Sequence, residues 1–329
     1  MRAPRGLLAL VAAVALVAVG AGCGSSDSDS GTASTTASKG KDLRIEYISH
    51  APTSDSFWIV GAMGARAAGE DLGVTVNYRG PQTTFDAPEQ KRLLQQAIAS
   101  KPDGIVVTVP DVSVLEPVVK SAVDQGIAVV LANAGQEVLE RTGALSYVGA
   151  IGLVDAATEA GKRFKEAGVT SAACMNPAPG VPVLDQICNI FARALGGKSQ
   201  IFPYETGDPT STRAKVQALL QRGDIDGIFA EGVEGAEPAL DALRATGKAG
   251  KVKLGNYILS PKVLDAIKRG DAMFAIDQQQ WLQGYYPVQM ITQYLRYGLV
   301  PPTEVSTGPT FVTKETVDKV IELSKQDIR

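Results

Sequence analysis

Pro102-Asp103-Gly104-Ile105-Val106-Val107 and Ile225-Asp226-Gly227-Ile228-Phe229-Ala230 are two versions of one phrase, an Asp-Gly-Ile step into an apolar run, with cores 123 residues apart. Each reads as a turn followed by a strand buried on both faces. Working outward from the first copy, residues 43–49, 74–78, 104–109 and 127–132 are apolar runs of strand length, and 57–72, 87–100 and 114–125 are amphipathic stretches of helix length. Around the second copy the same series returns, with strands at 171–176, 199–204, 227–231 and 252–257 and helices at 183–195, 210–221 and 235–246. Strand and helix in alternation imply parallel sheets with right-handed crossovers. His50 and Asn176, each ending a first strand, stand 126 residues apart, so the phrase falls at the same rank in two similar halves. After Asp277 the alternation breaks into a long helix at 281–297, Pro301-Pro302, an extended piece to Thr313 and a last helix at 314–325. A tail of this kind takes the chain between the halves more than once, which makes a hinge.

The chain has 329 residues, 45% hydrophobic and 20% charged, enough for about two folded domains. Its 32 basic and 35 acidic residues leave a net charge of -3, with no basic block to neutralise a run of phosphates, so nucleic acid is not an expected partner. One histidine and three cysteines are too few for a His- or Cys-built zinc, copper or iron site, although an oxygen-only cation site stays open. Residues 1–22 read as a secretion signal: Arg2 and Arg5, thirteen apolar residues at 7–19, then small residues. Gly20-Ala21-Gly22-Cys23 resembles a bacterial lipobox, with Gly20 where leucine is usual, and makes Cys23 the candidate for lipidation. An ordinary secretory cut near Cys23 is the alternative. Residues 24–40 hold six Ser, three Thr and three Gly, a flexible tether, so 23–42 is read as an anchor and its leash. With Cys23 lipidated, Cys174 and Cys188 are left in an oxidising compartment, either paired with each other or buried as free thiols.

Several short stretches now carry a resemblance: Asp55-Ser56-Phe57-Trp58, Lys101-Pro102-Asp103-Gly104-Ile105, Gln125-Gly126-Ile127, Leu243-Arg244-Ala245-Thr246-Gly247-Lys248 and Ala275-Ile276-Asp277-Gln278. In this order they resemble the ribose-binding-protein family, the sugar-binding group of class I periplasmic binding proteins that deliver solute to ABC transporters. The resemblance spans about 43–328, and His50-Ala51-Pro52 and Thr307-Gly308-Pro309 look like a subgroup known as sugar-binding. It implies two Rossmann-like, doubly wound α/β lobes joined by three crossover strands. Lobe one would be 43–148 plus 279–306, and lobe two 149–278 plus 307–329. It further implies a monomer without enzymatic activity or cofactor, held outside the cell membrane or in the periplasm by its lipid. The partners would be an ABC permease and a small neutral solute such as a sugar, deoxysugar or polyol.

In open parallel sheets ligands sit beyond the carboxyl ends of the strands. The residues there are His50, Asp111, Asn133, Asn176, Glu231, Asn256 and Tyr257. The resemblance adds Phe57 and Trp58 as aromatic plates for a sugar's C–H face and Gln278 as a hydroxyl partner at the crossover. Trp58 is expected to support little of either core, and glutamines 279, 280 and 283 rank below Gln278 as ligand partners, with solvated helix-start residues as the alternative reading. Several positions have plainer readings: His50 bonded to a loop carbonyl, Phe57 in the core, Asp55 and Asp86 as helix N-caps. Asn133-Ala134 stands where the family has Asp-Arg, Ile187 where it has arginine, Gly232-Val233 for Asn-Asp and Tyr257 for aspartate. Those changes remove charge-assisted hydrogen bonds, so a ligand with fewer hydroxyls than ribose, or a different ring, is expected. A hydrolase would have to use His50, and no Gly-x-Ser-x-Gly, Gly-x-Gly-x-x-Gly or Walker A sequence occurs. A sensory module for a membrane receptor would share the same ligand site.

Overall fold

The computed structural model describes residues 42–325. The secretion signal, Cys23 and the tether through residue 41 lie outside the described residues. The first sheet contains β1 (Arg44–Ile48), β2 (Thr75–Arg79), β3 (Gly104–Val107), β4 (Ala128–Ala132), β5 (Ser146–Gly149) and, from the tail, β11 (Glu304–Ser306). Its order is β2-β1-β3-β4-β5-β11, parallel throughout. The second contains β6 (Ser171–Asn176), β7 (Lys198–Pro203), β8 (Gly227–Ala230), β9 (Lys253–Tyr257), β10 (Phe274–Asp277) and β12 (Thr310–Thr313). Its order is β7-β6-β8-β9-β10-β12, parallel except for β12 against β10. The chain therefore passes between sheets three times, after β5, β10 and β11.

The helices are α1 (Ser56–Leu72), α2 (Ala87–Ala99), α3 (Val112–Asp124), the single turn α4 (Leu139–Thr142), α5 (Leu153–Glu166), α6 (Pro182–Leu195), α7 (Pro209–Arg222), α8 (Val233–Ala245), α9 (Pro261–Arg269), α10 (Gln280–Tyr297) and α11 (Val317–Ser324). Among the described residues no helix is long and apolar enough to cross a membrane. The strands read from apolar runs agree with the structure to within two residues at their ends, while β5, α5 and α9 are elements that reading did not place.

The repeated Asp-Gly-Ile phrase has the same task in both halves. Asp103 accepts the Arg44 N–H at 2.9 Å, tying the start of β3 to the start of β1. Asp226 likewise accepts the N–H groups of Thr170 and Ser171, at 3.0 and 2.8 Å, beside β6. Partial burial pushes the Asp226 carboxyl up, but these backbone donors win and hold it below the usual range. The glycine leaves room for a helix. A Cβ on Gly104 would stand 2.4 Å from Ile291 of α10, and one on Gly227 2.7 Å from Val169 and 3.0 Å from Phe164, at the end of α5.

Each of these helices arrives from the other sheet. α5 leaves β5 of the first sheet and packs beside α6 on the second, while α10 leaves β10 of the second and packs beside α1 on the first. At the α1–α10 crossing the backbones nearly touch. A Cβ on Gly284 would lie 1.9 Å from the Gly61 carbonyl oxygen, and one on Gly64 2.0 Å from that of Trp281. The approach is fixed further by Tyr47, whose hydroxyl donates to the Gln283 carbonyl at 3.1 Å, and by Arg296, which donates to the Leu72 carbonyl at 2.8 Å.

Because the obstacle at Gly284 is backbone, it cannot rotate away. Gly284→Ala should lower stability by about 1–3 kcal/mol, as overpacked interiors do. The measurement is the urea midpoint; a midpoint equal to that of the parent would refute the close approach.

Candidate functional site

Both sheets reverse their strand order next to their first strand, between β1 and β3 and between β6 and β8, and it is beyond the carboxyl ends at such reversals that open parallel sheets place their ligand crevice. On the lobe-one side His50 follows β1 and is buried. Its Nδ1 lies 3.0 Å from the Thr108 hydroxyl, not a loop carbonyl, and Gln90 on α2 donates to the carbonyl and hydroxyl of the same threonine, at 2.7 and 3.0 Å. The imidazole stacks on Phe85 at 4.9 Å and meets the edge of Trp58 at 5.0 Å. Burial pushes its pKa down to about 3, so His50 is uncharged near neutral pH.

Asp55 caps α1, accepting the N–H groups of Phe57 and Trp58 at 2.9 and 3.4 Å. That cap fixes both aromatics in the first turn. Trp58 is only 3% exposed and belongs to the same apolar cluster as Phe57, Tyr47 and Val288. The expectation that Trp58 supports little of the core is therefore corrected: a large side chain so enclosed contributes to the lobe's stability. Asp86 caps α2 through the Glu89 N–H, and Asp111 caps α3 through the Val114 N–H at 3.2 Å while accepting the Ser113 hydroxyl at 2.7 Å. Asp111 thus has a structural task at the strand end where the sequence placed it.

The crossing segments meet in one network. Asn133, at φ 61°, donates from Nδ2 to Gln283 Oε1 at 2.9 Å, and its carbonyl accepts the Tyr147 hydroxyl at 2.7 Å. Gln283 Nε2 donates to the Gln278 carbonyl and to the Thr307 hydroxyl, both at 3.0 Å, and Thr307 donates to the same Gln278 carbonyl at 2.8 Å. Gln278 is buried beside them. Gln280 and Gln283 are buried too, so reading them as solvated helix-start residues is overturned. Thr307 and Gln283 are members of this network that the sequence under-weighted; a glutamine three residues into a helix has no distinctive local signature.

On the lobe-two side, fully buried Asn176 donates to Asp185 Oδ1 at 2.9 Å and accepts the Ala178 N–H at 2.8 Å, while Asp185 also accepts the Gly180 N–H at 2.9 Å. Asp185 thereby shapes the loop between β6 and α6. A disulfide between Cys174 and Cys188 joins the same strand and helix. Asn256 sends Nδ2 to the carbonyls of Tyr257 and Ile258, at 2.7 and 2.9 Å. Tyr257 is buried against Phe229, with ring centroids 5.4 Å apart. Glu231, one residue beyond β8, is buried, and burial foremost, with the nearby Asp185 charge, pushes its pKa up to about 9.

Four buried polar side-chain atoms near these strand ends have no hydrogen-bond partner among the described residues: Gln90 Oε1 and Gln280 Oε1 from lobe one and its crossover helix, and Glu231 Oε2 and Asn256 Oδ1 from lobe two. Leaving one such atom unpaired costs about 1–3 kcal/mol. Their gathering at one end of both sheets calls for a polar group from outside the chain. The two walls approach each other here. Ile258 of lobe two packs against the Trp58 cluster as well as its own, and burial together with the Asp55 carboxylate raises the pKa of Glu234 on α8.

Residues 45–298 match the family model described as a periplasmic binding protein domain. The chain belongs to the periplasmic binding protein family. Periplasmic binding proteins are solute-binding proteins with this two-lobed fold. This one is 32% identical to a carbohydrate transporter from Acidothermus cellulolyticus 11B solved in complex with myo-inositol, with a TM-score of 0.79 over 88% of this chain and all of the other. It is 26% identical over 306 residues to a xylose/arabinose-binding protein of Sulfolobus acidocaldarius, covering 86% of this chain and 74% of that one. An arabinose-binding protein from Geobacillus stearothermophilus is 25% identical, with a TM-score of 0.66 over 85% of this chain and 99% of the other.

The buried imidazole gives this binding protein a signature in acid. Between an unfolded-state pKa near 6.5 and a folded one near 3, the unfolded chain binds the extra proton, so stability falls as pH drops through that window. The slope contributed by His50 should reach about 1.4 kcal/mol per pH unit. Urea unfolding of the parent and His50→Gln from pH 3.5 to 7 isolates it; parallel profiles would show that His50 does not carry the effect.

Proposed function

We propose that this protein is the solute receptor of an ABC importer and holds one small neutral sugar or polyol between its lobes, releasing it unchanged. The observation that carries the reading is the set of amide and carboxyl oxygens near the strand ends of both sheets that have no partner among the described residues, acceptors for a donor-bearing ligand. A free cation is not what that crevice offers. His50 is uncharged, and Arg79, the cation at the end of β2, is held by Glu46 at 2.6 Å. Ile187, where the family has arginine, is buried in an apolar cluster instead. Relatives described as binding myo-inositol, xylose or arabinose support a ligand of this class. In this reading Cys23 carries the lipid, residues 24–40 are the leash, and the body works outside the cell membrane, delivering to a permease as a monomer.

A thermal-shift screen with myo-inositol, D-xylose, L-arabinose and D-ribose tests it. A true ligand at a hundred times its Kd adds about 2.7 kcal/mol of stability. The solute should come back chemically unchanged by NMR; turnover would overturn the receptor reading, and so would the absence of any shift across sugars and polyols.

The site assignment is tested by two variants. Gln278→Ala leaves the carbonyl that anchors Gln283 and Thr307 in place, so it should cost about 1–2 kcal/mol of affinity with little change in Tm. Trp58→Ala should cost about 2–4 kcal/mol of affinity and lower Tm as well, since the same ring is core and crevice wall. Calorimetry on both variants decides; unchanged affinity in both would move the ligand elsewhere.

A further inference from the structure

Glu231 has no partner that accounts for its place. Its N–H is bound to the Met175 carbonyl at 3.0 Å, so it stands between the ends of β6 and β8, where the strand order of the second sheet reverses. The residue is 7% exposed. Its Oε1 lies 3.1 Å from Cys188 Sγ and 3.9 Å from Cys174 Sγ, and these sulfurs, joined to each other, have no hydrogen to donate. Its Oε2 has no hydrogen-bond partner among the described residues. The ionisable groups that bear on it are Asp185 from α6, Tyr257 from β9 and Tyr204 from beyond β7, where Glu234 at the start of α8 is also felt. None of these is a cation. A carboxylate here would be a buried charge among lone pairs, with no N–H or O–H of the described residues donating to it, and such a group takes a proton instead.

We propose that Glu231 is an uncharged carboxylic acid that donates a hydrogen bond from its unpaired oxygen to an acceptor oxygen of the bound solute, a ring, ether or hydroxyl oxygen. The proposal rests on the solute-receptor reading and goes beyond it by assigning the lobe-two wall a donor. Asn256 Oδ1, without a partner among the described residues near the end of the adjacent strand β9, offers an acceptor on the same wall, so a hydroxyl group can be read there through both its hydrogen and its lone pairs. Burial, with Asp185 adding to it, favours the protonated form, in keeping with the geometry. The consequence is a receptor whose affinity declines as the acid ionises at alkaline pH, because ionisation replaces a donor by a charge that repels the ligand's lone pairs.

Two measurements test this. In protein labelled with carbon-13 at the glutamate side-chain carboxyl, with Glu231→Gln to assign the signal, the Glu231 resonance should titrate near pH 9; a midpoint below pH 6 would overturn the proposal. In parallel, myo-inositol, D-xylose and L-arabinose are titrated calorimetrically at pH 7 and pH 10. The best of them should bind the parent at least tenfold more weakly at pH 10. Glu231→Gln keeps an N–H donor at every pH, so the ratio between the two pH values should shrink to less than threefold, whereas Glu231→Leu should lose tenfold already at pH 7. Full affinity in a Glu231→Leu protein that melts normally overturns the donor role alone. Should that variant melt early, the glutamine variant decides, and a loss at pH 10 like the parent's overturns the role. Failure of the parent to bind any of the three at pH 7 counts against the solute-receptor reading and takes the donor role with it.

Discussion

Where α10 crosses α1 there is no room for a side chain at Gly64 or Gly284: backbone lies against backbone, and a methyl group on Gly284 would fall 1.9 Å from the Gly61 carbonyl oxygen. This contact decides more than the packing of one lobe, because α10 begins at the end of a strand that belongs to the other. Its first turn carries Gln280 and Gln283, so the seat on α1 sets how deep those amides sit and where the crossing segment after β10 must run. Gln283 then reaches Asn133, Gln278 and Thr307 together. The mirror arrangement, α5 from the first sheet seated over Gly227 beside α6, does the same for the second lobe. Each lobe is completed by a helix the other sends, and the hinge is tied to both cores.

Two of the buried polar groups at these strand ends are held neutral. Burial keeps His50 deprotonated and Glu231 protonated, and each side chain lies where an ion would have no counter-ion. A site of this kind discriminates by the direction of donors and acceptors, because a buried acceptor left unmatched is costly whereas a weakly attracted charge is not. The positions at which the resemblance implies arginine, Ala134 and Ile187, carry no charge here. Ile187 lies in one apolar cluster with Cys174, Cys188 and Tyr257, filling with packing the space a guanidinium would need kept polar.

Much of the fold was legible because parallel strands buried on both faces are written as unbroken apolar runs, and because Asp103-Gly104 and Asp226-Gly227 mark the same clamp twice. β5 escaped notice for a physical reason: it is four residues long, begins with serine and ends with glycine, and owes its place to β4 and to β11, which is more than 150 residues away in the chain. The strand ends that line the crevice were also legible, since topology alone puts His50, Asn133, Asn176, Glu231 and Asn256 there. Which of their atoms are already spent was not. That Asn176 is satisfied by Asp185 and Ala178, while Asn256 keeps one oxygen free of partners, is a property of three-dimensional neighbours with no counterpart in local sequence.

Backbone strain follows the same line of cause. Asn133, Ile258 and Gln279 all have positive φ, at 61°, 73° and 52°, and all stand at the ends of strands β4, β9 and β10. For asparagine that conformation is mild, but for a β-branched isoleucine it is costly, and it persists only where the surroundings over-determine it. Here they do. The Ile258 N–H is fixed to the Ile276 carbonyl at 2.8 Å, its own carbonyl accepts Asn256 Nδ2, and its side chain is packed between the apolar clusters of both lobes. The reversal of direction it forces turns the chain from the strand end into the loop that leads to α9, and holds the amide of Asn256 with both hydrogens engaged. Only the oxygen remains for a ligand, so the strain at Ile258 fixes the chemical sense of the wall beside it: Asn256 can accept there, and it cannot donate.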